Sequence, residues 1–483
     1  MLCVTSRETF GHRGRTSTVA IAAAIVVSLA ALPQPAAAQR PGPDASRPAG
    51  TRPAVPAVGP RSSAAAPSAS STTLPPNYDA AGPFYDGAFL HDIHLTMKAD
   101  DWETLKANYL LDTYYPADFQ WRNVKVPTIG IRSRGAGSRA AAKPSLRLDF
   151  NRYVTDQKLL KLTAMVLANA YQDAGMMNRR LSMMVFAALE LPAPRVVHAR
   201  LFVNGEYIGL YEVVEAVEKA FLARAFGFDG SGKRRDDGYL FEYKWASEYD
   251  WSYLGSDLAP YAGLFEAKNH ELEAPSVLYG PIEDMMRTIN EVSDADFESA
   301  AGKYLNFPVF IRHLAVERYI TDLDGFLGDW GPNNFYLYRF ENRTLSAVMP
   351  WDKDVTFWNA WYESARPSGL NDDLYRGFGR TVLARRILAS PTLHRAYLES
   401  LLDCATTVAQ PDTPGSPFSW LEAEARREQA QILEAAQADP NKPYGNTAID
   451  QAHERLLEFV RNRSAIVIGL AQQELERLTQ GMR

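Results

Sequence analysis

"GDWGPNNFYLYRFENRTLSAVMPWDKD", residues 328–354, sets a short apolar hairpin between two polar clusters. "FYLYRF" and "TLSAVM" are rich in aromatic and β-branched residues and read as strands, with "ENR" as the turn between them. If the turn centres near Asn342, residues whose numbers sum to about 684 face each other in an antiparallel ladder. Asn334 is then expected opposite Pro350, with Asp352 within a residue or two of it. An amide oxygen and a carboxylate brought together are hard donors suited to Mg2+ or Mn2+, with Asp354 as a second acidic group. The stretch holds no His or Cys, which disfavours zinc.

Asp329 stands five positions before Asn334. Asp-x-x-x-x-Asn is the spacing of the protein-kinase catalytic loop, in which the Asp accepts the substrate hydroxyl proton and the Asn holds a metal. A later Asp, after a hairpin, holds the metal that bridges the phosphates; here that is Asp352. The same residues also fit ordinary turn capping. Asp322 and Asp324, in "TDLDGF", are the alternatives for the base, or caps of a helix end and turn; the spacing favours Asp329. Asn333 reads as structural. Trp330 and Trp351 read as core aromatics, with substrate stacking as the alternative.

The chain has 483 residues, 46% hydrophobic and 22% charged, with a net charge of −6. That balance supports a large core and argues against a nucleic-acid partner held through phosphates. Arg7, Arg13 and Arg15, the apolar run Val19–Leu32 and small residues at Ala36 and Ala38 are the pattern of a secretory signal peptide cleaved near Ala38, and the run is short for a membrane span. Its removal leaves 48 basic against 56 acidic residues, a net −8, and a single cysteine, Cys404, hence no internal disulfide. Residues 39–83 are rich in Pro, Ala and Ser and read as a tether, with the folded part beginning near Phe84.

Downstream, "FLHDIHLTMK", "NVKVPTIGIRSRG", "PSLRLDF" and "DGYLFEYK" alternate as strands, and "RVVHARLFVNGEYIGLYEVVE" reads as a hairpin about Asn204-Gly205. Residues 174–191, 306–321 and most of the chain after about Thr381 show helical spacing. Strands and helices do not alternate regularly, so the expected class is α+β. "RGAGS", Arg134–Ser138, can offer backbone N–H groups to a phosphate, with Arg132, Arg134 and Lys143 adding positive charge; taken alone, the stretch reads rather as a flexible, basic surface hairpin.

Three blocks in order resemble the spore-coat protein H (CotH) kinase family. "IRSRGAGSRAAAKPSLRLDF" resembles its Arg-Gly-x-x-Ser and Lys-x-Ser segment, "NGEYIGLYEVVEAVEKAFL" its Asn-Gly-x-x-x-Gly-x-Tyr-x-x-x-Glu block, and "NNFYLY" with "MPWDKDVTF" its Asn-x-x-x-Tyr and Pro-Trp-Asp-x-Asp block. The resemblance spans about residues 85–400. It implies a divergent, two-lobed kinase-like fold, with residues 84–218 as N-lobe and 219–483 as a mostly helical C-lobe. It implies ATP, Mg2+ or Mn2+, a protein substrate with a Ser or Thr acceptor, and no membrane span in the mature chain. Carried over by residue, Asp329 resembles the catalytic Asp, Asn334 and Asp352 the metal ligands, and Lys143 the lysine that pairs with nucleotide phosphates. Arg134, Gly135 and Ser138 join it on the nucleotide, as does Glu215, which matches the family Glu; a plain salt bridge is the alternative for Glu215.

The chain departs from ordinary kinases in having Leu327-Gly328 before the Asp, Asp352-Lys353-Asp354 for the metal triplet, and Arg179 and Arg180 where the helix carries a Glu. The sequence names no partner for Lys143. Two other functions share these residues. A kinase-fold enzyme would transfer AMP or an amino acid instead of phosphate. A non-catalytic envelope or extracellular module would use the cluster to hold a structural cation.

Overall fold

Seven strands close into a barrel: β1 (His91–Thr96), β2 (Tyr115–Trp121), β3 (Val124–Ser133), β4 (Leu146–Asp149), β5 (Ala164–Ala168), β6 (Val196–Val203) and β7 (Glu206–Glu215), in the spatial order β1-β2-β3-β4-β5-β7-β6. The computed structural model describes residues 79–247, 249–359 and 369–481. The expected signal peptide and nearly all of the expected tether lie outside the described residues. Closure comes from β6, which pairs antiparallel with β7 and parallel with β1. The Asn204-Gly205 turn directs this pairing: both residues have positive φ, and Asn204 bonds across to β1 through its backbone N–H to Leu95.

Period-two alternation gives the barrel wall two different faces. Val197, Ala199, Leu201, Tyr211 and Val213 point into the barrel core, whereas Val196, Leu210 and Val214 join a second, larger core outside it. Glu212 alternates with Tyr211 and Val213, and so faces that second core.

Helix α1 (Ala99–Ala107) buries Trp102 and Leu105 in the barrel core. The outer body contains α2 (Asn178–Ala188), α3 (Lys219–Phe226), β8 (Tyr239–Tyr243), α4 (Ala259–Leu264), β9 (Phe265–Ala267), α5 (Pro275–Leu278), α6 (Gly280–Glu291), α7 (Phe297–Ala301) and α8 (Phe307–Tyr319). It continues with β10 (Phe335–Arg339), β11 (Ser346–Pro350), α9 (Val382–Ala389), α10 (Pro391–Ala409), α11 (Trp420–Ala438) and α12 (Asn446–Gly481). Its four-stranded sheet has the order β11-β10-β8-β9. The class is α+β. The expected N-terminal lobe differs from an open sheet because its edges pair with each other. Among the described residues Cys404 is a free, buried cysteine, and no helix is long and apolar enough to cross a membrane.

Two local expectations shift. In the β10–β11 hairpin Phe335 pairs with Pro350, and the Asn334 carbonyl accepts the Trp351 N–H at 3.0 Å, one residue beyond the expected register. The turn is longer than "ENR" because Thr344 leaves the strand and donates its hydroxyl to the Lys303 carbonyl at 2.9 Å. Helix α2 starts at Asn178, which puts Arg179 and Arg180 in its first turn rather than near its middle. Asp173 sets that start by accepting the N–H groups of Met177 and Asn178, each at 2.8 Å.

The barrel depends on the C-terminal helices for one charge. Lys143 is 1% exposed, and its ammonium lies 2.6 Å from Asp439, just past α11. Asp439 also accepts the Leu210 N–H at 3.0 Å. It reaches this depth because residue 209 is glycine: a Cβ there would stand 2.5 Å from the carboxylate. Asp439→Ala strands a buried ammonium and is expected to cost about 3–5 kcal/mol in urea unfolding, with Lys143→Met/Asp439→Leu recovering much of the loss.

Candidate functional site

Arg179 sits where the barrel wall meets the base of the β10–β11 hairpin. Its guanidinium pairs with Glu212 of β7, with Oδ1 of Asp352, and with Oδ2 of Asp354 at 2.9 Å. Three carboxylates thus share one guanidinium. Burial pushes Glu212 up to about 8 and Asp354 well above the usual carboxylate range, against the pull of Arg179. Asp352 goes the other way: burial opposes ionisation, but Arg179 and then Arg134 hold it below its ordinary value. The side chain of Asp352 is 32% exposed, whereas that of Asp354 is 5% exposed, so Asp352 is the member that faces solvent.

Asn334 enters the hairpin and Asp352 leaves it, both in the left-handed region at φ 54° and 51°. Asn and Asp tolerate that conformation best among residues with a Cβ, which explains these residue types at the two ends. The Asn334 amide nitrogen donates to the Asp324 carboxylate at 2.9 Å and to its carbonyl at 3.0 Å, and Asn333 donates to the other Asp324 oxygen at 3.0 Å. Burial pushes Asp324 up to about 7; the Asn333 bond opposes this, and the charges of Asp322 and Asp352 add to it. Asp329 turns elsewhere: Arg376 grips both its oxygens, through Nε at 2.9 Å and through Nη2. The structure therefore brings Asn334, Asp352 and Asp354 together with Asp324, and holds Asp329 on Arg376.

The glycine-containing loop approaches this cluster through Arg134, whose guanidinium carbon lies 5.3 Å from the centre of the Trp351 ring. Gly135 has φ 101°, and its carbonyl accepts Arg139 Nε at 2.7 Å. The Ser138 carbonyl accepts the Asn169 amide at 3.0 Å. Lys143, expected on the nucleotide, is enclosed with Asp439, and burial lowers its pKa despite that partner. Glu215 is 1% exposed, with both oxygens taken by Arg195 and Arg224, the salt-bridge alternative. The cations beside Asp352 are Arg134 and Arg179. Sequence reasoning missed Asp439, which carries no local signal in "ADPNKPYG".

The donor set fits a hard divalent ion in one particular way. Among the described residues no group of three or more His, Cys, Asp or Glu side chains is arranged to hold a metal. Arg179 engages Oδ1 of Asp352, and Asn334 donates through Nδ2, which leaves Oδ2 of Asp352 and Oδ1 of Asn334 as acceptors. One carboxylate and one amide oxygen suit Mg2+, which keeps waters and phosphate oxygens rather than a full protein cage.

The raised carboxylates predict a pH dependence. Glu212 titrates at about 8, and burial also lifts Asp324 and Glu428 to about 7, each above its unfolded value of 3.8 to 4.5. The folded state keeps protons that the unfolded chain has released, so these groups lower stability as pH rises from about 5 to 7, and Glu212 to about 8, by up to ~1.4 kcal/mol per pH unit per group. Urea unfolding across that range should show the decline, and Glu428→Gln should flatten it.

Comparison with known proteins follows the same residues. The family profile described as "CotH kinase protein" matches residues 131–467. The inner spore coat protein H of Bacillus subtilis (strain 168) is 26% identical over 351 residues, covering 71% of this chain and 87% of that protein. A crystal structure of the Helicobacter pylori proinflammatory kinase CtkA aligns over 69% of this chain and 95% of its own, at 11% identity and a TM-score of 0.29. On the profile match, which spans the glycine-containing loop, the Arg179 cluster and the hairpin, the chain belongs to the CotH kinase family.

Proposed function

We propose that this chain is an exported, metal-dependent protein kinase that transfers the γ-phosphate of ATP to a Ser or Thr hydroxyl. The observation that carries the reading is the triangle at the hairpin base: Asp324 bonded to Asn334, and Asn334 next in register to Asp352. Export rests on the N-terminal pattern, and the relative named as an inner spore coat protein fits a surface location.

Oδ1 of Asn334 and Oδ2 of Asp352 would hold Mg2+ or Mn2+, which would supply neutralisation of phosphate charge. Arg179 fixes the orientation of Asp352 by occupying its other oxygen. Arg134 adds positive charge from the loop above Trp351, where a polyphosphate needs it. Asp324 takes the proton of the incoming hydroxyl; its pKa of about 7 suits a base working near neutrality. Both carboxylates have both oxygens engaged; Asp324 is preferred to Asp329 because its partners are the neutral amides of Asn333 and Asn334, which hold it beside the metal-ligand candidate, whereas the guanidinium of Arg376 draws Asp329 away from Asn334. Lys143 supports the wall beneath the site through Asp439 rather than meeting the nucleotide.

Asp324→Asn is expected to lower kcat by about 100-fold or more with nucleotide binding kept, and Asp329→Asn by less than about tenfold. The reverse order in a labelled-ATP transfer assay would return the base to Asp329. Asp352→Ala should abolish the Mg2+-dependent rise in Tm that ATP produces. Mass spectrometry of the modified protein then reads the group transferred: a phosphate supports the proposal, whereas AMP or an aminoacyl group overturns it.

A further inference from the structure

Asp352, Lys353 and Asp354 point different ways, and Lys353 points down. Its side chain is 0% exposed, with the ammonium 2.9 Å from Oε1 of Glu317 and 2.7 Å from Oδ2 of Asp322. Glu317 belongs to α8, and its carboxylate accepts the backbone N–H groups of Phe326 at 2.9 Å and Leu327 at 3.0 Å. His313 lies 3.1 Å from the same carboxylate. Asp322 accepts the Asp324 N–H at 3.0 Å through Oδ1. Residue 325 is glycine because a Cβ there would collide with both carboxylates. The backbone on either side of Asp324 is therefore tied, through two buried carboxylates, to the one ammonium carried between Asp352 and Asp354.

We propose that Lys353 is a positioning residue for phosphate transfer: through Glu317 and Asp322 it locks the Asp322–Leu327 segment to the end of the hairpin, and so sets where Asp324 stands relative to Asn334 and Asp352. The proposal rests on the reading of Asp324 as the proton acceptor. It gives the middle residue of the Asp-x-Asp pair a task distinct from metal or nucleotide binding. An apolar side chain at 353 would leave two buried carboxylates repelling each other beneath the loop. The loop would move, and a shift of about an ångström at the reacting group is enough to lower turnover by about 100-fold.

The test uses the full chain with Lys353→Met, and with Lys353→Met/Asp322→Asn, in which a charge of each sign is removed together. Three quantities are read on each: hydrogen exchange of residues 322–334, kcat, and Kd for ATP in the presence of Mg2+. Support is faster exchange confined to residues 322–334, with kcat down about tenfold or more and Kd within about threefold. An unchanged kcat in a folded variant overturns the proposal. So does a Kd that rises in step with the loss of kcat, which would mean that Lys353 acts on Asp352 rather than on the loop. Failure of both variants to fold also overturns it, by assigning Lys353 to global stability. If the unmodified protein transfers no phosphate, the reading of the site as a kinase falls, and exchange of residues 322–334 alone judges the lock.

Discussion

One buried guanidinium holds the two cores of this protein against each other. Arg179 takes a carboxylate from the barrel wall, Glu212, and two from the chain leaving the β10–β11 hairpin, Asp352 and Asp354. A lysine could not do this: the planar fork of arginine offers five N–H donors in fixed directions, enough for three partners at once. Burial raises the pKa values of Glu212 and Asp354 against the pull of that guanidinium. Asp352, held below its ordinary value, is the carboxylate of the three that faces solvent.

The chain around the hairpin sorts its charges by direction. Asp352 faces solvent, Asp354 faces Arg179, and Lys353 faces the buried carboxylates beneath the Asp324 loop. Two residues with positive φ, Asn334 and Asp352, make this sorting possible by turning the backbone where it enters and leaves the sheet. Strain of that kind persists only where surrounding bonds over-determine it, and here the Asp324, Arg179 and hairpin bonds do so.

What the sequence made legible was local. The hairpin, the proximity of Asn334 to Asp352 and the α+β class follow from strand composition, a turn and strand counting, and the one-residue register error traces to Thr344. The contact of Asp324 with Asn334 was harder to read, because separation along the chain does not give distance in a folded-back loop. Gly325 accepts the N–H groups of Gly328 and Asn333, each at 3.0 Å, which returns the chain on itself and puts Asp324 beside Asn334 across ten residues. Arg179 looked anomalous where a kinase helix carries a glutamate. In the structure Arg179, on α2, meets an acid on β7, Glu212. The partner of Lys143 could not be read at all, since nothing in the composition near Asp439 points toward a strand connection almost three hundred positions earlier.

That last pairing bears on how the molecule is made. Gly209 leaves a gap in the barrel wall that the carboxylate following α11 fills, and among the described residues the enclosed lysine beneath it has no other counter-ion at hydrogen-bond distance. A nascent chain emerging N-terminus first would assemble seven strands around a charge it cannot yet neutralise. A ribosome-bound intermediate stalled before residue 439 would lack the counter-ion of this wall, which is complete only when the chain beyond α11 arrives.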